Sequence, residues 1–326
     1  MADLQRQLEE DGVDRQALAS NNGAPADIDA AFEVARVEAA CKVLGQDAFI
    51  QALALAFKRP FVAGAGEGAP LCRAAVLGAP GTGRRSGIRA MAASLGRQGV
   101  LKSPKAVPVD LAPYHAAGME KLFVQDLYAA LKSGAAALVF ENYEKCHASV
   151  LSMVSGLFRE GQVALPGRYV EQKGILTDIG TALAPGAVSS LSLGGKYLFL
   201  VTSQSEAKLG DAFGAPFLSA LDDVLSTSPF TPESLEQIAG QALQALCGRA
   251  KKQLAFTLTY GEDGVKALAS AFTPAQGAGA IQEEAGRLYK ALSEEKLSKA
   301  LPGPLEGRVL AEGGALLVQY SHGGLE

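Results

Sequence analysis

The 326-residue chain has no apolar run near the length of about 18 residues that marks a membrane-spanning helix, so no membrane contact is expected. It has no CxxC pair: Cys41, Cys72, Cys146 and Cys247 lie far apart. That spacing fits buried thiols in a reducing, cytoplasmic setting better than a disulfide framework. Its three histidines, His115, His147 and His322, show no metal-ligand spacing with those cysteines, so no metal centre is expected. There is no basic excess either, the net charge being −4, so no global field draws the chain to nucleic acid or anionic lipid. The opening stretch MADLQRQLEEDG lacks a basic segment followed by an apolar one, so no secretory signal is expected. What is present is 48% hydrophobic and 20% charged, the balance of a globular protein with a real core.

Residues 1–40 read as an N-terminal helical extension interrupted by the loop signal SNNGAPAD. From about residue 41, apolar positions recur at helical spacing through QDAFIQALALAFKRPF. Then short apolar runs alternate with amphipathic stretches. CRAAVLG, KAVPVDLA, AAALVFE and KYLFLVTSQ read as buried strands; RSGIRAMAASLG, EKLFVQDLYAALK and ASVLSMVSGLFREG read as helices. This rhythm predicts an α/β domain over residues 41–228, a mostly parallel sheet with helices on both faces. VALPGRYVEQ reads as a hairpin, and the Gly- and Ser-rich residues 173–195 read as an inserted loop. From residue 229 to 326 the texture becomes mainly helical, ending in a β-hairpin at GRVLAEGGALLVQY.

The stretch LGAPGTGRRSG, Leu77 to Gly87, stands between a strand and a helix. That order is the context in which a glycine-rich loop holds phosphate: backbone N–H groups wrap the anion, a lysine reaches the outer phosphates, and a hydroxyl holds magnesium. Gly78, Gly81, Thr82 and Gly83 match the loop, with Arg84, Arg85 and Ser86 opening the helix. Arg84 stands where the lysine belongs and Arg85 where the hydroxyl belongs. A guanidinium keeps the charge but is a planar fork rather than a compact ammonium.

These motifs together resemble the AAA+ ATPase module of Clp-type protein unfoldases, in particular the second, C-terminal module of two-module members. The resemblance runs from Val43 to Tyr320. It rests on VLGQDAFIQAL, on the loop, and above all on VFENYEKCHASVLSMVSGLFREGQVALPGR. It implies a P-loop large domain, a small helical lid domain with a C-terminal hairpin, ATP or ADP as ligand, and ring neighbours or another protein as partner.

The departures fall on the positions that do chemistry. By the resemblance, Glu141 stands for the magnesium-binding Asp and Asn142 for the general base, which an amide cannot be. Gln204 stands for the sensor Asn, Ala220 for the arginine finger and Gly279 for the lid arginine. No aromatic pore motif occurs between residues 106 and 135; Tyr114 is the candidate there and reads as a surface or packing residue. Magnesium loses its hydroxyl ligand, while the loop glycines keep a nucleotide site open.

The leading expectation is a degenerate, Clp-like AAA+ protein: an interaction or assembly subunit, pseudo-ATPase rather than chaperone motor, with residual ATP or ADP binding through Gly81, Gly83 and Arg84. In a variant of this reading, the two arginines fill the phosphate position and satisfy a carboxylate such as Glu141. The alternative is an active ATP-dependent remodeller in which Arg85 and Ser86 slip into the lysine and hydroxyl roles. A clamp-loader-like, nucleic-acid-handling relative is disfavoured by the negative charge.

Overall fold

The computed structural model describes residues 27–172, 174–180, 182, 184–299, 304–312 and 315–321. Most of the expected N-terminal extension, residues 1–26, therefore lies outside the described residues. The chain divides into two compact units: one runs to Gly78 and resumes over Arg84–Thr227, and the other joins Ala79–Gly83 to the chain from Ser228 onward.

The first unit is an α/β structure built on a five-stranded parallel sheet. Its strands are β1 (Cys72–Leu77), β2 (Ala106–Asp110), β3 (Ala137–Glu141), β7 (Tyr197–Thr202) and β8 (Asp223–Ser226), in the order β2-β3-β7-β1-β8. The helices are α1 (Ile28–Lys42), α2 (Asp47–Ala63), α3 (Arg84–Arg97), α4 (Glu120–Lys132), α5 (Ala148–Glu160), α6 (Glu206–Phe213) and α7 (Ala215–Ala220).

Strand alternation splits the core into two clusters. Ala137, Val139, Tyr197, Phe199 and Val201 face one side, with Phe32, Ile50, Phe57, Ile88 and Leu95 from α1, α2 and α3. Leu138, Phe140, Leu198 and Leu200 face the other, with Leu127, Val154 and Phe158 from α4 and α5. Burial on both faces is why these strands carry unbroken apolar runs. Helix α1, which the sequence places in a separate extension, is part of the first of these clusters through Phe32, Ala35 and Ala39. Asp27 caps it, its carboxylate accepting from the Ala30 N–H at 3.0 Å.

Residues 173–195 are not simply a loop. Strands β4 (Gln162–Gln172), β5 (Ile175–Gly180) and β6 (Val188–Ser192) form an antiparallel sheet in the order β5-β4-β6. Val163, Tyr169, Leu176 and Leu191 point into the core cluster that holds Phe140 and Phe158. VALPGRYVEQ is not a hairpin but lies within the single strand β4, and its partners β5 and β6 were missed because pairing at a distance leaves little local trace in a Gly- and Ser-rich stretch. It also missed β8, whose four residues gain strand geometry only by pairing with β1.

In the second unit, α8 (Pro232–Leu254), α9 (Glu262–Ala269) and α10 (Gly279–Ser298) pack with a sheet of order β11-β10-β9. Strand β9 (Phe256–Tyr260) is parallel to β10 (Leu305–Glu312), which pairs antiparallel with β11 (Ala315–Ser321). The alternation FTLTY, with Phe256 and Leu258 buried, is a strand signal that the sequence reading passed over. Helix α8 starts where a helix should: Thr231 accepts from the Ser234 N–H at 3.2 Å and Pro232 sits in the first turn.

No helix of the described residues is long and apolar enough to cross a membrane. Burial pushes the Cys72 thiol up to about 12 and Cys146 up to about 11, which makes both poor nucleophiles.

Candidate functional site

The candidate site of the first unit lies at the carboxyl ends of the parallel strands, where β2, β3 and β7 end in Asp110, Glu141 and Thr202. Strand β1 leaves the sheet at Gly78, whose N–H donates to the Thr202 carbonyl at 3.2 Å. Gly78 has φ 145°, and a Cβ there would stand 1.9 Å from Thr227 Oγ1. This glycine is required by the chain's own close approach.

Helix α3 then begins at Arg84, with Arg85 next to it and no acidic residue in its first turn. Cations at a helix N-terminus oppose the helix dipole and the unsatisfied N–H groups, a cost of about 0.3–1 kcal/mol each at exposed positions. A countercharge is therefore needed, and Glu141 provides it. Arg85 Nη1 donates to Glu141 Oε2 at 3.1 Å. The Glu141 side chain is only 12% exposed, and its Oε1 is buried without a hydrogen-bond partner. Burial raises the Glu141 pKa above the usual carboxylate range; the Arg85 and Arg89 guanidinium groups oppose that shift. Arg84 is partly buried, with Nη1 shut away from solvent and unpartnered. Its pKa is lowered, first by burial and further by Arg85, while attraction to Glu141 and Glu144 works the other way.

Asn142 sits one residue past the end of β3, in the left-handed conformation at φ 58° and ψ 36°. Asparagine tolerates that region better than most residues. Its side-chain amide donates to Asp110 Oδ1 at 2.7 Å, and the same oxygen accepts the Ala112 N–H at 3.0 Å. Asn142 is thus a tie between the ends of β3 and β2.

At the end of β7, the Gln204 N–H donates to Thr202 Oγ1 at 3.0 Å, and the Thr202 hydroxyl donates to Glu144. The Gln204 side chain is exposed, as is Ser86. Ala220 is the last residue of α7. The sequence reading brought Arg84, Arg85 and Glu141 to one place and missed Asp110, Thr202, Glu144 and Arg89. Polar residues at the last positions of apolar strands were the available signal for the first two.

The remaining loop residues belong to the second unit. Gly81 and Gly83 have φ 71° and 94°. The Thr82 hydroxyl donates to the Ala79 carbonyl at 2.8 Å. Gly81 lies against the turn before α10: a Cβ on it would come within 2.4 Å of the Gln276 carbonyl, and its own carbonyl accepts the Ala278 N–H at 3.3 Å. Gly279, the first residue of α10, is exposed, with no atom within 4 Å of where its Cβ would be.

Tyr114 is 3% exposed, donates its hydroxyl to Asp126 Oδ2 at 2.6 Å and stands edge-on to Phe123, a packing role. His147 caps α5, Nδ1 accepting from the Ser149 N–H at 3.2 Å. Among the described residues no group of three or more His, Cys, Asp or Glu side chains is placed to hold a metal ion. No protein-family model matches the chain, and no curated protein matches it.

Proposed function

We propose that the chain is a degenerate AAA+ protein of Clp type: an interaction or assembly subunit that does little or no ATP hydrolysis. In this reading the first unit is the P-loop large domain, and the second is the small lid domain with its terminal hairpin. The ion pair between Arg85 and Glu141 carries the proposal. It joins the two positions where a working site would hold a magnesium-binding hydroxyl and a magnesium-binding carboxylate, and it commits both to each other. Magnesium does not fit the residues present, and no hydrolytic step is drawn through it.

Three further features support the reading. Asn142 is an amide, already engaged with Asp110, so no carboxylate stands there to take a proton from water. Ala220 supplies no cation in the finger role, a loss of about 10³–10⁵ in rate in enzymes that depend on one. Gly279 supplies none in the lid role. The active-remodeller alternative needs Arg85 and Ser86 in the lysine and hydroxyl roles and a finger from elsewhere, such as Arg249 or Lys251; Arg85 is instead engaged with Glu141, and Ser86 is exposed.

The test is ATP turnover by the purified full chain with magnesium, from dilute to concentrated protein. Expected is release of phosphate no faster than background at every concentration. A rate that rises with concentration toward about 1 s⁻¹, typical of an enzyme, would overturn the proposal.

A further inference from the structure

One pair of opposite charges in the first unit's site, Arg85 and Glu141, is already matched before any ligand arrives. Three guanidinium groups, those of Arg84, Arg85 and Arg89, act on Glu141 or its surroundings; Glu141, Glu144 and Asp110 are the acidic groups around them. In a phosphate site the cations are neutralised by the ligand. Here Arg85 is neutralised by Glu141 at 3.1 Å.

The glycines point the same way within each unit. Those that make room for a ligand in a phosphate loop here make room for protein: Gly78 for Thr227, and Gly81 for Gln276 and Gly277. The buried end of the pair matters most. An exposed ion pair contributes little, but a carboxylate as enclosed as Glu141 is strongly disfavoured without a partner.

We propose that Arg85, held on Glu141 with Arg84 beside it, is an internal occupant of the phosphate position, closing the site to nucleotide and magnesium and letting the fold stand without either. This rests on the P-loop reading of the loop and helix α3. A nucleotide would have to break the pair and leave the enclosed carboxylate facing a polyanion. Exchanging the two arginines for the lysine and hydroxyl of a working loop removes the occupant and frees Glu141 at the same time.

The experiment is thermal unfolding of the full chain with millimolar ATP or ADP, with magnesium or with EDTA, on five proteins. These are the wild type, Arg84→Lys/Arg85→Thr, Arg85→Gln, Glu141→Gln and the Arg85→Gln/Glu141→Gln double variant. Expected is no nucleotide shift in the wild type, and a midpoint rise of roughly 5 °C in Arg84→Lys/Arg85→Thr with ATP and magnesium that EDTA abolishes. Arg85→Gln should lower the midpoint, and should lower it clearly less when Glu141 is already Gln. Circular dichroism checks folding, and Arg85→Ser alone replaces the lysine–threonine variant if that one fails to fold.

A nucleotide shift in the wild type overturns the internal occupant and leaves the P-loop reading standing. Additive effects of the two Gln variants also overturn it. Coupled Gln variants with no nucleotide response in any folded protein sink the P-loop reading instead, and reduce the pair to an ordinary ion pair.

Discussion

The two sheets of the first unit obey different rules. In the parallel sheet, β7 is buried at all six positions and β3 at four of five, because helices cover both faces. In the antiparallel sheet, β4 buries Val163 and Tyr169 among exposed neighbours, since one face looks to solvent. The edges differ too. The outer edge of β5 is held by Gln125 of α4, whose side-chain amide donates to the Leu176 carbonyl and accepts the Leu176 N–H. A side chain there does the work that a neighbouring strand does in the larger sheet. The contrast teaches that the large sheet is specified by apolar continuity and the small one by a few particular contacts.

Four measurements would break or sharpen that contrast. The largest effect is expected at Phe199, fully buried in β7 with its ring 5.3 Å from that of Phe57. Phe199→Ala should lose about 3–5 kcal/mol in urea unfolding, because both faces pack too tightly to collapse around the cavity. A loss near 1 kcal/mol would mean that the parallel core is looser than its burial implies.

Next comes Gln125→Leu, which removes both hydrogen bonds to Leu176 and leaves that backbone pair without its partner. A cost of about 1–2 kcal/mol is expected. It should appear as faster amide exchange at Leu176 with the exchange of β3 and β7 unchanged; equal acceleration in both sheets would erase the distinction.

A single kind of substitution should have opposite signs in the two sheets. The Tyr197 hydroxyl donates to the Phe57 carbonyl at 2.7 Å, whereas the Tyr169 hydroxyl is buried with no hydrogen-bond partner. Tyr197→Phe should cost about 1 kcal/mol, and Tyr169→Phe should be neutral or stabilising. Equal losses at both positions would show that Tyr169 has a partner after all.

The smallest effect is in the pH dependence. Glu141 is raised by burial above 4.5, so the folded state binds its proton more tightly than the unfolded chain does. Its contribution is then most favourable at low pH and declines as pH rises from 4.5 through the folded value. Glu141→Gln should flatten that decline. A steeper decline in the variant would mean that Arg85 outweighs burial.

Much of this architecture was legible in residues whose neighbours in sequence are also their neighbours in packing. CRAAVL, ALVFE and YLFLVT announce buried strands, and the glycine-rich turn before RRSG announces a strand-to-helix junction. The meeting of Arg85 with Glu141 was legible because Arg85 opens the helix that follows β1 and Glu141 ends β3, both at the carboxyl edge of one sheet. What escaped was set by distant pairing. DVLS becomes a strand only beside β1, and VSSLS only beside β4. Helix α1 was recognised as helical, but its place in the core depends on which face meets α3. The role of Asn142 was read as a missing base; that it ties β3 to β2 through Asp110 required the turn geometry at φ 58°.

Strand β1 has a consequence in time. Its two partners, β7 and β8, begin at Tyr197 and Asp223, whereas β1 itself ends at Leu77. A ribosome adding about 5–20 residues per second must run on for roughly 6–24 seconds before either edge of this apolar strand can be paired. Through that interval β1 is a bare, sticky ribbon, its early shelter limited to the helices that flank it in sequence. Slowing synthesis between residues 78 and 196 should therefore lower the soluble yield, and the same pause placed after residue 226 should not.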